Sequence, residues 1–179
     1  MSVPLWAEVA RRTNEHGYMN GIERTVDRVR ATGEIFTPTP LVVEMLSRIP
    51  LRHFAPGLRV LDPACGDGQF LVAAKWVKVL AHGMSDDRAL EDIFGIDIMR
   101  DNVDLCRRRL GGGTIVMGNA LDPLAVLEGQ TAAERAIMVA LFADHPCVSR
   151  LKKPPFHPRK PAIARRLRST ALQPELGLF

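Results

Sequence analysis

Residues 60–72, Val-Leu-Asp-Pro-Ala-Cys-Gly-Asp-Gly-Gln-Phe-Leu-Val, set acids and glycines close together in a short turn. An apolar stretch at 58–61 ends in Asp62. A turn of small residues runs from Pro63 to Gly68, and Phe70, Leu71, Ala74 and Val77 then follow at helical spacing. That order predicts a strand, a glycine turn and a helix, the first unit of an open α/β sheet whose ligands lie beyond the carboxyl ends of its strands. Gly66 and Gly68 leave bare backbone for a ligand to rest against. A dinucleotide fingerprint would read G-x-G-x-x-G and seat a pyrophosphate on the helix start. Here Asp62 and Asp67 flank the glycines and would repel that group. They suit a cationic or zwitterionic ligand that offers an ammonium group. Taken alone, Asp62 could simply end a strand and Asp67 simply cap a helix.

The flanking segments extend the pattern. Around Thr37-Pro38-Thr39-Pro40 the sequence predicts a helix start, with Thr37 or Thr39 as cap, a proline in the first turn, and Leu41, Met45 and Leu46 as the apolar stripe. Free N–H groups and hydroxyls at such a start can receive a carboxylate. Residues 93–98 read as a second strand ending in an acid. Asp97 stands 31 residues after Gly66, farther than the ~20 of a dinucleotide site, and its expected task is to accept hydrogen bonds from two ribose hydroxyls. A helix over 102–110 presents Val103, Cys106 and Leu110 on one side. A third strand at 114–117 leads into Gly118-Asn119-Ala120-Leu121.

Thr-Gly-Glu-Ile-Phe-Thr-Pro at 32–38, Asp-Pro-Ala-Cys-Gly-Asp-Gly at 62–68, Gly-Ile-Asp-Ile at 95–98 and Gly-Asn-Ala-Leu at 118–121 occur in this order. Together they resemble the S-adenosylmethionine-dependent N6-adenine DNA methyltransferases of restriction–modification systems, over about residues 31–122. The resemblance implies an α/β fold: a Rossmann-like methyltransferase three-layer sandwich, here with N-terminal helices and an abbreviated C-terminal half. It implies S-adenosyl-L-methionine as cofactor. Residues 32–38, with Thr32, Phe36, Thr37 and Pro38, would approach the methionine carboxylate and amine. Asp62, Pro63, Ala64 and Gly66 would line the methionine and sulfonium portion. Asp97 would hold the ribose, Ile98 would pack on the adenine face, and Asn119 and Ala120 would read the adenine edge. Apart from the resemblance, Ile98 is an ordinary core type and Asn119 an ordinary turn residue.

The family's catalytic signature is an acid, asparagine or serine, followed by Pro-Pro and an aromatic. Its side-chain oxygen and a backbone carbonyl accept the hydrogens of the adenine amino group while the aromatic stacks on the flipped base. This chain has no such tetrapeptide. After the apolar run 136–143 stands Asp144-His145-Pro146-Cys147, in which Asp144 is the candidate acceptor and Pro146 the retained proline. Lys153-Pro154-Pro155-Phe156 keeps the prolines and the aromatic but begins with a cation that accepts nothing. Pro146-Cys147 is similar to the proline–cysteine of cytosine-C5 methyltransferases, although the surrounding motifs are of the amino-methylating kind. Residues 131–143 are rich in helix formers, which leaves the expected fourth strand open.

The 179 residues are 46% hydrophobic, enough for one core, expected over residues 1–147, with a basic, proline-containing segment at 148–179. Pro4 to Arg30 reads as two helices packing on the sheet through Leu5, Trp6, Val9, Ile22, Val26 and Val29. Residues 1–147 hold sixteen basic and nineteen acidic residues, a net charge of −3, whereas 150–168 hold eight basic residues and no acid. The overall +4 therefore comes from the C-terminal segment, which suits contact with DNA phosphates or a docking role. Cys65, Cys106 and Cys147 suit a reducing cytoplasm and form no zinc pattern; no metal site and no membrane span are expected. The functional expectation is methyl transfer to the N6 amino group of adenine in DNA, with a specificity or partner subunit as a further expectation. The alternatives share the cofactor site: an inactive cofactor-binding accessory subunit, or a methyltransferase acting on protein or another nucleic acid.

Overall fold

The computed structural model describes residues 4–15, 29–30, 34–35 and 37–143. Three short strands, β1 (Val60–Asp62), β2 (Ile93–Asp97) and β3 (Thr114–Met117), form a parallel sheet in the order β1-β2-β3. Val60 pairs with Ile93 and Asp62 with Gly95, while Gly95 pairs with Ile115 and Asp97 with Met117. Because side chains alternate along a strand, Ile93, Gly95 and Ile115 share one face and Ile96 and Val116 the other. The first face packs on α3 (Gln69–His82) and α5 (Arg100–Leu110) through Leu71, Val72, Val103, Cys106 and Leu110. The second meets Met138 of α6 (Ala132–Phe142). The chain is thus an α/β protein with helices on both faces of a small parallel sheet.

Helix α6 settles the question left open by residues 131–143. Thr131 and Glu134 form a reciprocal capping box at its start, which satisfies backbone donors that a strand would have sent to a neighbour. Glu134 does more than cap. Its buried carboxylate accepts from both terminal nitrogens of Arg100 (2.7 Å each), from Arg107 (2.9 Å) and from the Met117 amide (3.3 Å). Arg107 also donates to the Ile115 carbonyl (2.6 Å), and Gln130 donates to that of Met117 (2.7 Å). The outer edge of β3 is therefore closed by side chains. On its other side the sheet ends at β1, which has one strand neighbour among the described residues.

Two expectations about the N-terminal half are corrected. Helix α2 (Thr39–Ser47) has Pro38 at its N-cap and no side-chain cap, so neither Thr37 nor Thr39 caps it. Its buried positions are Thr39, Val42 and Leu46, whereas Leu41 and Met45 are exposed; the stripe is rotated from the expected one because the helix packs on α1 and α3. Helix α1 (Leu5–Glu15) likewise rests on helices α2 and α3 rather than on the sheet, burying Val9 completely and setting Arg12 over the Trp76 ring at 5.0 Å. The second expected N-terminal helix lies largely outside the described residues, as does the expected boundary at 147/148. The loop before β1, which contains a 3₁₀ turn at Leu51–Phe54, is held by Lys78. Its fully buried ammonium donates to the carbonyls of Phe54, Ala55 and Leu58 and pairs with Asp92 at 3.0 Å.

The Arg100 hydrogen bonds, against the cost of burial, hold the Glu134 carboxyl well below its ordinary 4.5. A depressed folded value contributes stability above the unfolded value and loses it as pH falls toward the folded one. Urea denaturation should show wild-type stability falling between about pH 5 and about pH 3, and falling less steeply in Glu134→Gln, which starts lower at neutral pH. Equal slopes in the two proteins would exclude this role for Glu134.

Candidate functional site

The turn after β1 folds back on the end of β2 because β2 supplies its partners. Cys65 N–H donates to the Ile96 carbonyl at 2.8 Å, and Gly66 N–H donates to Asp97 Oδ2 at 2.9 Å. Gly66 and Gly68 take φ of 52° and 85°, the left-handed region in which a Cβ is penalised. Gly68 is constrained a second way, since a Cβ there would come within 2.5 Å of Cys106 Sγ. The glycines thus serve the turn's own curvature and its approach to α5.

Asp97 is buried at the carboxyl end of β2. Oδ1 accepts from Met99 N–H (2.8 Å) and from the Asn102 amide (3.2 Å), in addition to the Gly66 bond at Oδ2. Three of a carboxylate's roughly four acceptor sites are therefore taken by the protein, so Asp97 both builds the turn and faces the cavity beside it. Asp62 lies at the end of β1, with Oδ1 accepting from Ala64 N–H at 3.1 Å. Burial raises the Asp62 carboxyl above its ordinary value, the Ala64 N–H opposes this, and the charge of Asp97 adds to it.

Two cavities meet at Ala64. One, of about 120 Å³, is lined by Ile35, Thr37, Asp62, Gly66, Gln69 and Phe70 among others. The second, of about 370 Å³, is lined by Pro63, Asp97, Ile98, Asn119, Ala120 and Leu121 among others. The structure therefore brings together Thr37, Asp62, Pro63, Ala64, Gly66, Asp97, Ile98, Asn119 and Ala120. Ile98 is 51% exposed, so it is a cavity wall rather than core. Asn119 uses its carbonyl oxygen to accept from Leu121 N–H at 3.0 Å, which shapes the turn. Pro38 sits at the α2 N-cap and lines neither cavity. Thr32, Phe36, Asp144 and Pro146 lie outside the described residues, as do Lys153 to Phe156.

Asp67 departs from the expected pair of ligand-facing acids. Its carboxylate is 2% exposed and forms an ion pair with Arg109 at 2.6 Å. Arg109 also donates to Gln69 Oε1 (2.6 Å), Gln69 Nε2 donates to the Thr39 hydroxyl (2.5 Å), and that hydroxyl donates to Asn14 (2.6 Å). This buried chain ties α1, α2, α3 and α5 together behind the turn, and it occupies the Thr39 hydroxyl expected to receive a ligand carboxylate. Asp67 still borders the smaller cavity, but with its carboxylate held by Arg109, Asp62 and Asp97 are the cavity-lining acids not held in an ion pair among the described residues. No lysine, arginine or histidine lines either cavity among the described residues, and none of the described residues forms a cluster of three or more metal-ligating side chains.

The sequence reading missed Glu34, Phe70 and Asn102. Glu34 lay within a quoted motif and Phe70 within the helical pattern, but Asn102 was read only as the start of a helix. Its signal was an amide placed five residues after Asp97, within reach of the same carboxylate.

Such a cleft fits an elongated ligand with a cationic part, and the comparison with known families agrees. The N-6 DNA methylase family model matches residues 24–111, about half of the chain. Over that stretch the chain belongs to the N-6 DNA methylase family. The matched stretch contains Asp62, Gly66, Gly68, Asp97 and Asn102, and stops short of Asn119. No solved structure matches the chain.

Gly68→Ala tests the double constraint on the turn of this methylase segment. It should cost about 2–4 kcal/mol in chemical denaturation. Gly57→Ala should cost only about 1–2 kcal/mol, because Gly57 has a similar φ of 81° but open space around its Cβ position. Equal losses would show that the approach to Cys106 does not matter.

Proposed function

We propose that the chain binds S-adenosyl-L-methionine and takes part in methyl transfer to the N6 amino group of adenine in DNA, as a restriction–modification type methyltransferase with a Rossmann-like methyltransferase fold. The observation that carries this reading is the pair of cavities meeting at Ala64, with Asp62 on one side and Asp97 on the other and no cation among the described residues that line them. When bound, the cofactor supplies a methyl group on a positively charged sulfur. The acidic walls would favour that charge and would repel a phosphate-bearing cofactor.

Each residue then has a physical task. Asp62 offers a carboxylate to the amino group, with Thr37 beside it. Gly66 and Ala64 let the ligand lie close to the backbone between the two cavities. Asp97 offers its remaining acceptor capacity to the ribose hydroxyls. Ile98 and Leu121 give apolar surface for the base, and Asn119 and Ala120 border its edge. Asp144 with Pro146 remains the proposed acceptor for the adenine amino hydrogens, and the basic segment 150–168 the proposed contact to DNA phosphates. A partner subunit supplying sequence recognition and a cytoplasmic location complete the proposal. No helix among the described residues is long and apolar enough to cross a membrane.

A second reading rests on the absence of the family's catalytic tetrapeptide: a subunit that holds the cofactor but performs no chemistry. Tritiated methyl transfer to unmethylated DNA separates the two. Incorporation that Asp144→Ala abolishes supports the enzyme, and tight binding without incorporation supports the accessory subunit.

The raised Asp62 pKa gives the binding step its own signature. Only the ionised carboxylate attracts the cationic ligand, so affinity should fall as protons return to it. Calorimetric titration should show S-adenosylmethionine binding begin to weaken, as pH falls, at a higher pH than the titration of an ordinary carboxylate would give. Asp62→Asn should bind more weakly at pH 7 and show a flatter profile. A wild-type profile as flat as that of the variant would remove Asp62 from the site.

A further inference from the structure

Asn102 is an unusual residue for its place. It lies in the first turn of α5, is 2% exposed, and sends its side chain away from its own helix toward two acids. The Nδ2 group donates to Glu34 Oε1 at 2.5 Å and to Asp97 Oδ1 at 3.2 Å. A primary amide has two N–H donors, and here each faces a different carboxylate. The reverse orientation would point the amide oxygen at two anions, so the chemistry fixes the assignment. Glu34 lies 68 residues away in sequence, immediately before Ile35 and Thr37, which line the cavity of Asp62. Asp97 lines the other cavity. One buried amide therefore bridges the segments that wall the two halves of the cleft.

We infer that Asn102 is a positioning residue that clamps Glu34, and with it the neighbouring Ile35, at the edge of the cleft and couples its two halves. The clamp itself follows from the geometry; the coupling rests on the cofactor reading above. Without it, the two carboxylates would lose the donor they share, and their mutual repulsion would weaken the hold on Glu34. With it, a ligand group held beside Asp62 and Thr37 stabilises the Glu34 arm, and through Asn102 favours the Asp97 orientation that receives the ribose. Binding in the two cavities then becomes mutually reinforcing.

The full-length chain allows both parts to be tested. In the absence of ligand, a glutamate-specific protease should cut after Glu34 about tenfold faster in Asn102→Ala than in wild type, one charge-assisted hydrogen bond's worth of protection. Cleavage after Glu128, in an exposed loop that follows β3 in sequence, serves as the internal control and should not change. Asn102→Asp keeps the shape but replaces the donor with a third acid, and should be cut at least as fast as the alanine variant. If cleavage after Glu34 is unchanged, or rises only in step with that after Glu128, the clamp is overturned.

For the coupling, calorimetry would compare S-adenosylhomocysteine with 5′-methylthioadenosine, which lacks the amino-acid arm. In wild type the arm should strengthen binding, and in Asn102→Ala that advantage should shrink about tenfold. An equal loss for both nucleosides would show a merely structural role and overturn the coupling. Binding of neither nucleoside to wild type, together with the expected proteolysis, would overturn the cofactor reading and the coupling while the clamp stands.

Discussion

The buried carboxylate of Asp97 is the constraint on which the cleft depends. It ends β2, and its hydrogen bonds reach the Gly66 amide in the turn after β1, the Met99 amide at the start of α5 and the Asn102 side chain. A buried anion needs such donors, since an unpaired charge costs far more than any single hydrogen bond returns. The result is that three segments converge on one group. The same convergence opens the space between Ala64 and Ile98 into which a ligand would fit. Architecture and the proposed recognition are therefore not separable at Asp97: a substitution there would alter the turn as well as the proposed ribose contact.

A second buried pair performs the supporting role that the sequence hid. Asp67 read as a ligand-facing acid, yet its carboxylate and the Gln69 side chain are held by Arg109, forty or so positions later. Burying this ion pair is tolerable because Arg109 also bonds the Asp67 carbonyl and Gln69, leaving its guanidinium well satisfied. The chain of polar contacts ends at Asn14, so the N-terminal helix is registered against the turn through side chains far from the cleft.

How much of this was legible follows from the range of each interaction. Strand, turn and helix after residue 58, the acid ending β2 and the strand at 114–117 were read correctly because hydrophobic period and glycine placement are local signals. The three β-strands lie where those signals said; that Asp62, Ala64, Asp97 and Asn119 line the cavities agrees with where the family resemblance, not local spacing, sets them. The outward faces of Leu41 and Met45 were misread because α2 takes its orientation from α1 and α3, which local spacing does not encode. The ligand-facing reading of Asp67 gave way for the same reason, since its carboxylate pairs with Arg109 and nothing near residue 67 announces a cation in α5; the capping alternative is met in part, because Asp67 Oδ1 accepts from the Gln69 N–H at the helix start. The helix at 132–142 was foreshadowed by its alanines and glutamate, but the capping box that decides it is a pairing of Thr131 with Glu134 that a search for a strand passes over.

The arrangement of helices also places the cleft at one end of this sheet. The crossovers β1-α3-β2 and β2-α5-β3 place both helices on one face, the direction of travel that right-handed connections require. Helix α6 lies on the opposite face, and with Arg107 and Gln130 its Glu134 occupies the polar groups on the outer edge of β3. Ligands of open α/β sheets bind outside the carboxyl ends of the strands. Asp62 ends β1, Asp97 ends β2, and Pro63 and Ala64 follow directly after β1. The acids that line the cleft are there because the strands end there.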